Sequence, residues 1–145
     1  MRILLRHKVE GRPADIMNRF DRQLFLALNP PGIRVFLEDF TGNTTGSEIS
    51  MRICWGPWYL GYWRSLIVNH RFSEEHCSFT DEGIMLPFPL NYWRHEHIVT
   101  RTGEHTYIID DIHFKCRWNW LNFFLYPVFW LQFFYRRGVY QKHFR

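Results

Sequence analysis

The stretch Trp93-Arg94-His95-Glu96-His97, followed after a Gly-containing turn by Thr106-Tyr107-Ile108-Ile109-Asp110-Asp111-Ile112-His113-Phe114, decides the reading of this chain. Two β-rich runs joined by a short polar turn predict an antiparallel hairpin. Residues two apart on a strand share a face. Trp93, His95 and His97 therefore point together, and Arg94 and Glu96 point the other way. On the second run Ile108, Asp110, Ile112 and Phe114 share a face that is apolar except for Asp110. A buried Asp needs a partner, and His95 or His97 supplies one in the right register. Sequence leaves that register open, because a one-residue slip flips every side chain.

Working outward, Ile3 to Val9 alternates weakly and reads as a first strand. Pro13 opens a helical stretch in which Ile16, Phe20, Leu24 and Leu28 fall on one face. Asn29-Pro30-Pro31-Gly32 ends it. Strand-like runs follow at Ile33–Glu38, Ser47–Trp55, Tyr62–Phe72, Cys77–Ile84, Trp93–Thr100 and His105–Cys116, as in a meander. Trp118 to Phe144 reads as one long helix, with Pro127 a point for a kink. The layout is α+β: an antiparallel sheet with its helices on one face. A curved sheet around a long helix leaves a hollow between them.

Composition narrows the function. The chain has 145 residues, the length of one domain. Aromatic residues make up 19%, which calls for a large core, an apolar cavity or a partner. The formal charge of +4 comes from scattered basic residues without a basic stripe, so nucleic acid is not expected as a partner. Cys54, Cys77 and Cys116 lack CxxC spacing and read as reduced thiols of a cytoplasmic protein. The N-terminus lacks the apolar run of a signal peptide. Ten of the eighteen residues from Trp118 to Tyr135 are aromatic, but Asn119, Asn122, Pro127 and Gln132 interrupt the segment. A buried or cavity-covering helix is favoured over a membrane span. A helix lying on a membrane surface is the lesser alternative, since Arg136 and Arg137 follow directly.

The motifs, taken in order, carry a family resemblance. Leu28-Asn29-Pro30-Pro31, Trp63-Arg64-Ser65-Leu66-Ile67, Phe79-Thr80-Asp81 and Trp93-Arg94-His95-Glu96-His97 succeed one another at plausible spacings. Alternating Thr106, Ile108, Asp110, Ile112 and Phe114 follow, and then Phe134-Tyr135-Arg136. The set resembles the ligand-binding branch of the SRPBCC (START/Bet v 1-like) superfamily. That resemblance implies a helix-grip fold over residues 1–145. About seven curved antiparallel strands wrap a long C-terminal helix, with two short helices after the first strand. It also implies a cavity for apolar ligands. The chain departs from the pattern at Ile84–Leu90, a longer and more apolar connection, and at Lys115-Cys116-Arg117-Trp118, where Pro-Gly is usual.

The expected function is binding of a small hydrophobic or aromatic ligand, lipid- or polyketide-like. Expected contacts are Phe36, Trp63, Phe79, Trp93, His95, His97, Ile108 and Asp110, with Phe124, Val128 and Leu131 from the last helix. One alternative is a cyclase or dehydratase using His95 and Asp110 as an acid/base pair. Another is a membrane-surface lipid-binding module. His-x-His on a strand can offer two imidazoles to one ion, yet His113 shares a face with Asp111 rather than Asp110. No metal or cofactor is expected. No Gly-x-Ser-x-Gly or phosphate-cradling loop occurs, and the adjacent pairs Glu74–Glu75 and Asp110–Asp111 point apart on strands.

Overall fold

In a computed structural model covering residues 1–145, the hairpin forms as the pattern requires. β1 spans Arg2–Val9, β2 Ile33–Phe40, β3 Glu48–Trp55, β4 Trp58–Phe72, β5 His76–Met85, β6 Leu90–Thr102 and β7 His105–Cys116. β2 to β7 run as an antiparallel meander, and β1 returns to the free edge of β7, so the strand order is β1-β7-β6-β5-β4-β3-β2. Register shifts between Leu37 and Asp39, Ile53 and Cys54, Arg64 and Ser65, and Val68 and Arg71 bend the sheet. Such bulges raise local twist and curvature.

Two short helices, α1 (Pro13–Asn18) and α2 (Arg22–Ala27), connect β1 to β2. The single apolar face read from Ile16, Phe20, Leu24 and Leu28 is buried, but the helix carrying it is broken. Asp21 caps α2 by accepting the Leu24 N–H at 2.9 Å. An acceptor at that position satisfies one of the free N–H groups of a new helix start. β4 begins at Trp58, four residues before the alternation becomes regular at Tyr62.

The last helix, α3 (Asn119–His143), crosses the concave face of the sheet and packs on β1 and β7. Asn122 anchors its first turn, its Oδ1 accepting the Cys116 N–H at 2.7 Å in a buried setting. At the other end, Arg19 donates to the His143 carbonyl at 2.5 Å. Phe133, Tyr140 and Phe144 are buried against the sheet with Ile108, Ile112 and Phe114. No helix is long and apolar enough to cross a membrane. The three cysteines are free.

Candidate functional site

The inner face of β6 and β7 carries the polar cluster. Strand pairing sets His97 opposite Asp110, His95 opposite Ile112 and Trp93 opposite Phe114. The short contact is nevertheless diagonal. His95 Nε2 donates to Asp110 Oδ1 at 2.9 Å, whereas His97 Nδ1 stands 3.6 Å from the same oxygen. His7 of β1 approaches from the other side, its Nε2 3.6 Å from Oδ2, too long for a hydrogen bond. Asp110 is fully buried and sits behind the three imidazoles. On the outer face Asp111 pairs with Arg2 at 2.9 Å and His113 at 3.2 Å, so the two adjacent carboxylates do point apart.

Burial alone would raise the Asp110 pKa. The pull of His7 and His95, with the Arg136 cation behind them, outweighs it and holds the group far below the ordinary carboxylate range. His97 is driven the other way. Burial, then the neighbouring His95 and Arg136, push it well below the usual imidazole value against the attraction of Asp110, so it is a neutral ring. Burial also raises Asp81, with His95, Ser65, Arg136 and Trp93 acting in opposition. Burial and the charge of Asp110 push up the Tyr140 phenol, which stays protonated. Four ionisable groups thus share one small volume, each shifted by its environment.

A cavity of about 380 Å³ lies between this face, α2 and α3. Its lining is mostly apolar, with Asp81, His95, His97 and Arg136 grouped at one end. Trp63 and Trp93 meet edge to face in its wall, 4.9 Å between centroids, and Trp63 Nε1 donates to Ser65 Oγ at 2.8 Å. Phe79 stacks on His97 at 4.5 Å. Arg136 lies over the Phe133 ring at 3.9 Å. Asp81 Oδ1 is buried at this end without a hydrogen-bond partner. An unpaired buried carboxylate oxygen at a cavity wall is a strong demand for a donor.

Of the expected contacts, Trp63, Phe79, Trp93, His95, His97 and Val128 line this cavity. Ile108 and Asp110 lie in the layer behind it, fully buried. Phe36, Phe124 and Leu131 point outward instead. On β2 the inward parity belongs to Ile33, Val35 and Leu37, which leaves Phe36 on the outer face. On α3 the cavity side is Leu125, Val128, Phe129, Gln132, Phe133 and Arg136, so Phe124 and Leu131 fall on the opposite side. The apolar connection after Gly83 brings Pro87, Phe88 and Pro89 to the cavity mouth. Gly61, at φ +150°, makes room there, since a Cβ would collide with Pro87.

Four residues of the cluster escaped the sequence reading: His7, Asp81, Arg136 and Tyr140. His7 shares the inward parity of Ile3 and Val9 on β1. Asp81 follows Phe79 by two residues on β5 and pairs with His95. Arg136 and Tyr140 continue the buried face of Phe129 and Phe133 at helical spacing. Each was visible as a polar residue on an otherwise apolar face.

Asp81, His95 and His97 offer ligand atoms within 4.8 Å of one another, the composition of an open metal site. Arg136 stands close enough to act on both Asp81 and His97, and Asp81 holds its proton more tightly than usual. The Arg136 charge opposes a divalent cation. The arrangement suits a neutral or partly polar group that can donate to Asp81 while its apolar body fills the cavity.

No family model matches the chain, and no curated protein matches it. Solved structures do. Major latex-like protein 151 of Panax ginseng superposes with a TM-score of 0.59 at 12% identity, over 91% of this chain and 95% of that one. Truncated norcoclaurine synthase of Thalictrum flavum gives 0.61 at 14% identity, over 88% and 82%. Ara h 8.0201 gives 0.54 at 11%, over 82% and 80%. These are Bet v 1-like proteins of the SRPBCC superfamily, and the chain has their helix-grip fold.

Proposed function

We propose that this protein binds a small hydrophobic or aromatic molecule in the cavity between α3 and the sheet. One observation carries the reading: a 380 Å³ apolar hollow ends at a buried carboxylate oxygen that has no partner. Binding sites for small molecules have this form, mostly apolar walls with a few converging polar groups. The ligand class is an apolar or aromatic body bearing one donor, lipid- or polyketide-like. Asp81 accepts from that donor, and His97 and Arg136 flank it. Trp63, Phe79 and Trp93 supply aromatic wall. The neighbours of this fold include an enzyme, norcoclaurine synthase, and a latex-like protein, so fold alone does not choose between binding and catalysis. The three free thiols accord with a reducing compartment such as the cytoplasm.

The test is uptake of the apolar dye anilinonaphthalene sulfonate, followed by its fluorescence. Val35 lines the cavity from edge strand β2. Val35→Trp places a ring in the hollow with little disturbance to the central strands. The wild type takes up one dye per chain, and Val35→Trp does not. Equal uptake by both would overturn the reading.

A second reading rests on the His95–Asp110 pair. His95 lines the cavity, and a fully buried carboxylate orients it. That is how an imidazole is held for proton transfer. In a cyclase or dehydratase, His95 would be the acid/base and Asp110 its positioning residue. A His95→Gln variant that keeps dye uptake but loses turnover of an aromatic polyketide would support this reading. Unchanged turnover would end it.

A further inference from the structure

α3 is apolar on both sides, and only one side is used. Its inner side faces the core and the cavity. Its outer side carries Trp120, Phe123, Phe124 and Leu131, each more than half exposed, with Phe123 at 70%. A helix that is apolar all round belongs in an apolar environment on every side.

The outer stripe continues beyond the helix. Phe88, 67% exposed in the β5–β6 connection, packs edge-on against Trp118 at 5.6 Å. Trp118 stacks on Trp120 at 6.4 Å. Pro87 of the same connection meets Gly61 at the start of β4, beside exposed Trp58, Tyr59 and Leu60. Leu60, Phe88 and Val128 also line the cavity. Three separate elements therefore bring exposed rings to the rim of one opening. Scattered surface hydrophobics need no explanation, but a contiguous patch does.

Charge selects the occupant. The segments that build the rim, Ile49–Ser73, Gly83–His95 and Ile112–Arg145, contain no Asp or Glu. Lys115 and Arg117 are exposed beside Trp118 at the rim, and Arg137, Lys142 and Arg145 are exposed farther along the same segment. Glu38, Glu48 and Glu82 of neighbouring stretches neutralise Arg52, Arg64 and Arg94, whereas Lys115 and Arg117 beside Trp118 form no salt bridge. Trp and Tyr above basic side chains are the composition of a surface that enters the headgroup region of an anionic membrane. A second copy of this chain fits less well, because a two-fold contact sets the same patch on both subunits. Lys115 and Arg117 would then meet their own kind.

We propose that the aromatic rim docks the cavity mouth on an anionic lipid bilayer, so that the apolar ligand enters from the membrane rather than from water. The docking stands on the rim alone. The entry route rests on the cavity reading above.

Flotation with phosphatidylcholine vesicles, with or without phosphatidylglycerol, tests the docking. The wild type floats with the anionic vesicles and less with the neutral ones. A Trp120→Glu/Phe123→Glu variant loses at least tenfold in vesicle partitioning. Trp58→Glu, on a different element, loses it too. Each variant keeps the wild-type melting temperature and dye uptake, which separates lost docking from lost folding. Val35→Trp floats like the wild type while failing to take up dye, so the two proposals fail separately. A wild type that stays in the soluble fraction with anionic vesicles would overturn the docking. So would rim variants that float unchanged. A concentration-dependent dimer, abolished by the same substitutions in sedimentation velocity, would also overturn it by assigning the patch to a second copy.

Discussion

Replacing Asp110 by Asn changes one oxygen for nitrogen at the centre of the buried cluster. The volume is conserved, so no cavity opens. The change is electrostatic. Asp110 accepts from His95 at 2.9 Å, with His7 and His97 each at 3.6 Å and no exposure to water. Its negative charge attracts the buried Arg136 cation at longer range. Removing one partner of a buried pair strands the other, at a cost of about 3–5 kcal/mol. Because Asn can still accept from His95, the lower end applies, about 3 kcal/mol. For a chain of this length each kcal/mol moves the melting temperature by about 2–4 °C, so the variant should melt roughly 6–12 °C below the wild type. The pH dependence has a definite sign. The folded carboxylate is held below its unfolded value, so its contribution is fully present above the unfolded pKa and is lost as pH falls toward the folded one. The gap between wild type and variant should be constant from neutrality to about pH 4 and shrink below it. Circular dichroism melts across that range read both quantities. A neutral-pH shift under about 2 °C, or a gap that widens in acid, would refute the reasoning.

Other consequences are measurable in the same way. Asp81 is buried with its pKa raised, so its ionised form costs stability at neutral pH. Asp81→Asn should stabilise by about 0.5–2 kcal/mol while weakening ligands that donate a hydrogen bond, seen by melts and competition binding. His97 is held neutral, and its contribution is present above the unfolded imidazole pKa. Stability of the wild type should therefore begin to fall below about pH 6.5, and His97→Phe should remove that limb of the profile. Ser65→Ala leaves the Trp63 indole N–H unpaired in the cavity wall and should cost about 1–3 kcal/mol in denaturant titrations. Added zinc should not raise the melting temperature, because the buried Arg136 cation opposes a second cation beside Asp81, His95 and His97. A stoichiometric zinc adduct would contradict this.

The fold was legible because alternation and turn chemistry agreed along β2 to β7, and because the motifs came in one order. The pairing of Asp110 was legible too, as a single carboxylate on an apolar strand face opposite two histidines. The register that selects His95 over His97 was not, since pairing across strands depends on contacts outside the hairpin. His7, Arg136 and Tyr140 each show as a polar residue on an apolar face, but that they meet at one cluster was not legible, for a related reason. They reach the cluster from β1 and α3, the ends of the chain, and nothing local joins them. Phe36 was misassigned by parity, because Ile33-Arg34-Val35-Phe36-Leu37 has apolar residues on both faces. Phe124 and Leu131 were misassigned because α3 is apolar all round, so spacing alone cannot tell which side faces the sheet. That same excess is the basis of the membrane proposal.

The most direct test of a ligand-binding cavity is native mass spectrometry of wild type and Val35→Trp, purified side by side. The account predicts a wild-type population carrying one apolar small molecule per chain, absent from Val35→Trp. Bare chains in both samples, even after incubation with an apolar ligand library, or identical adducts in both, would contradict it.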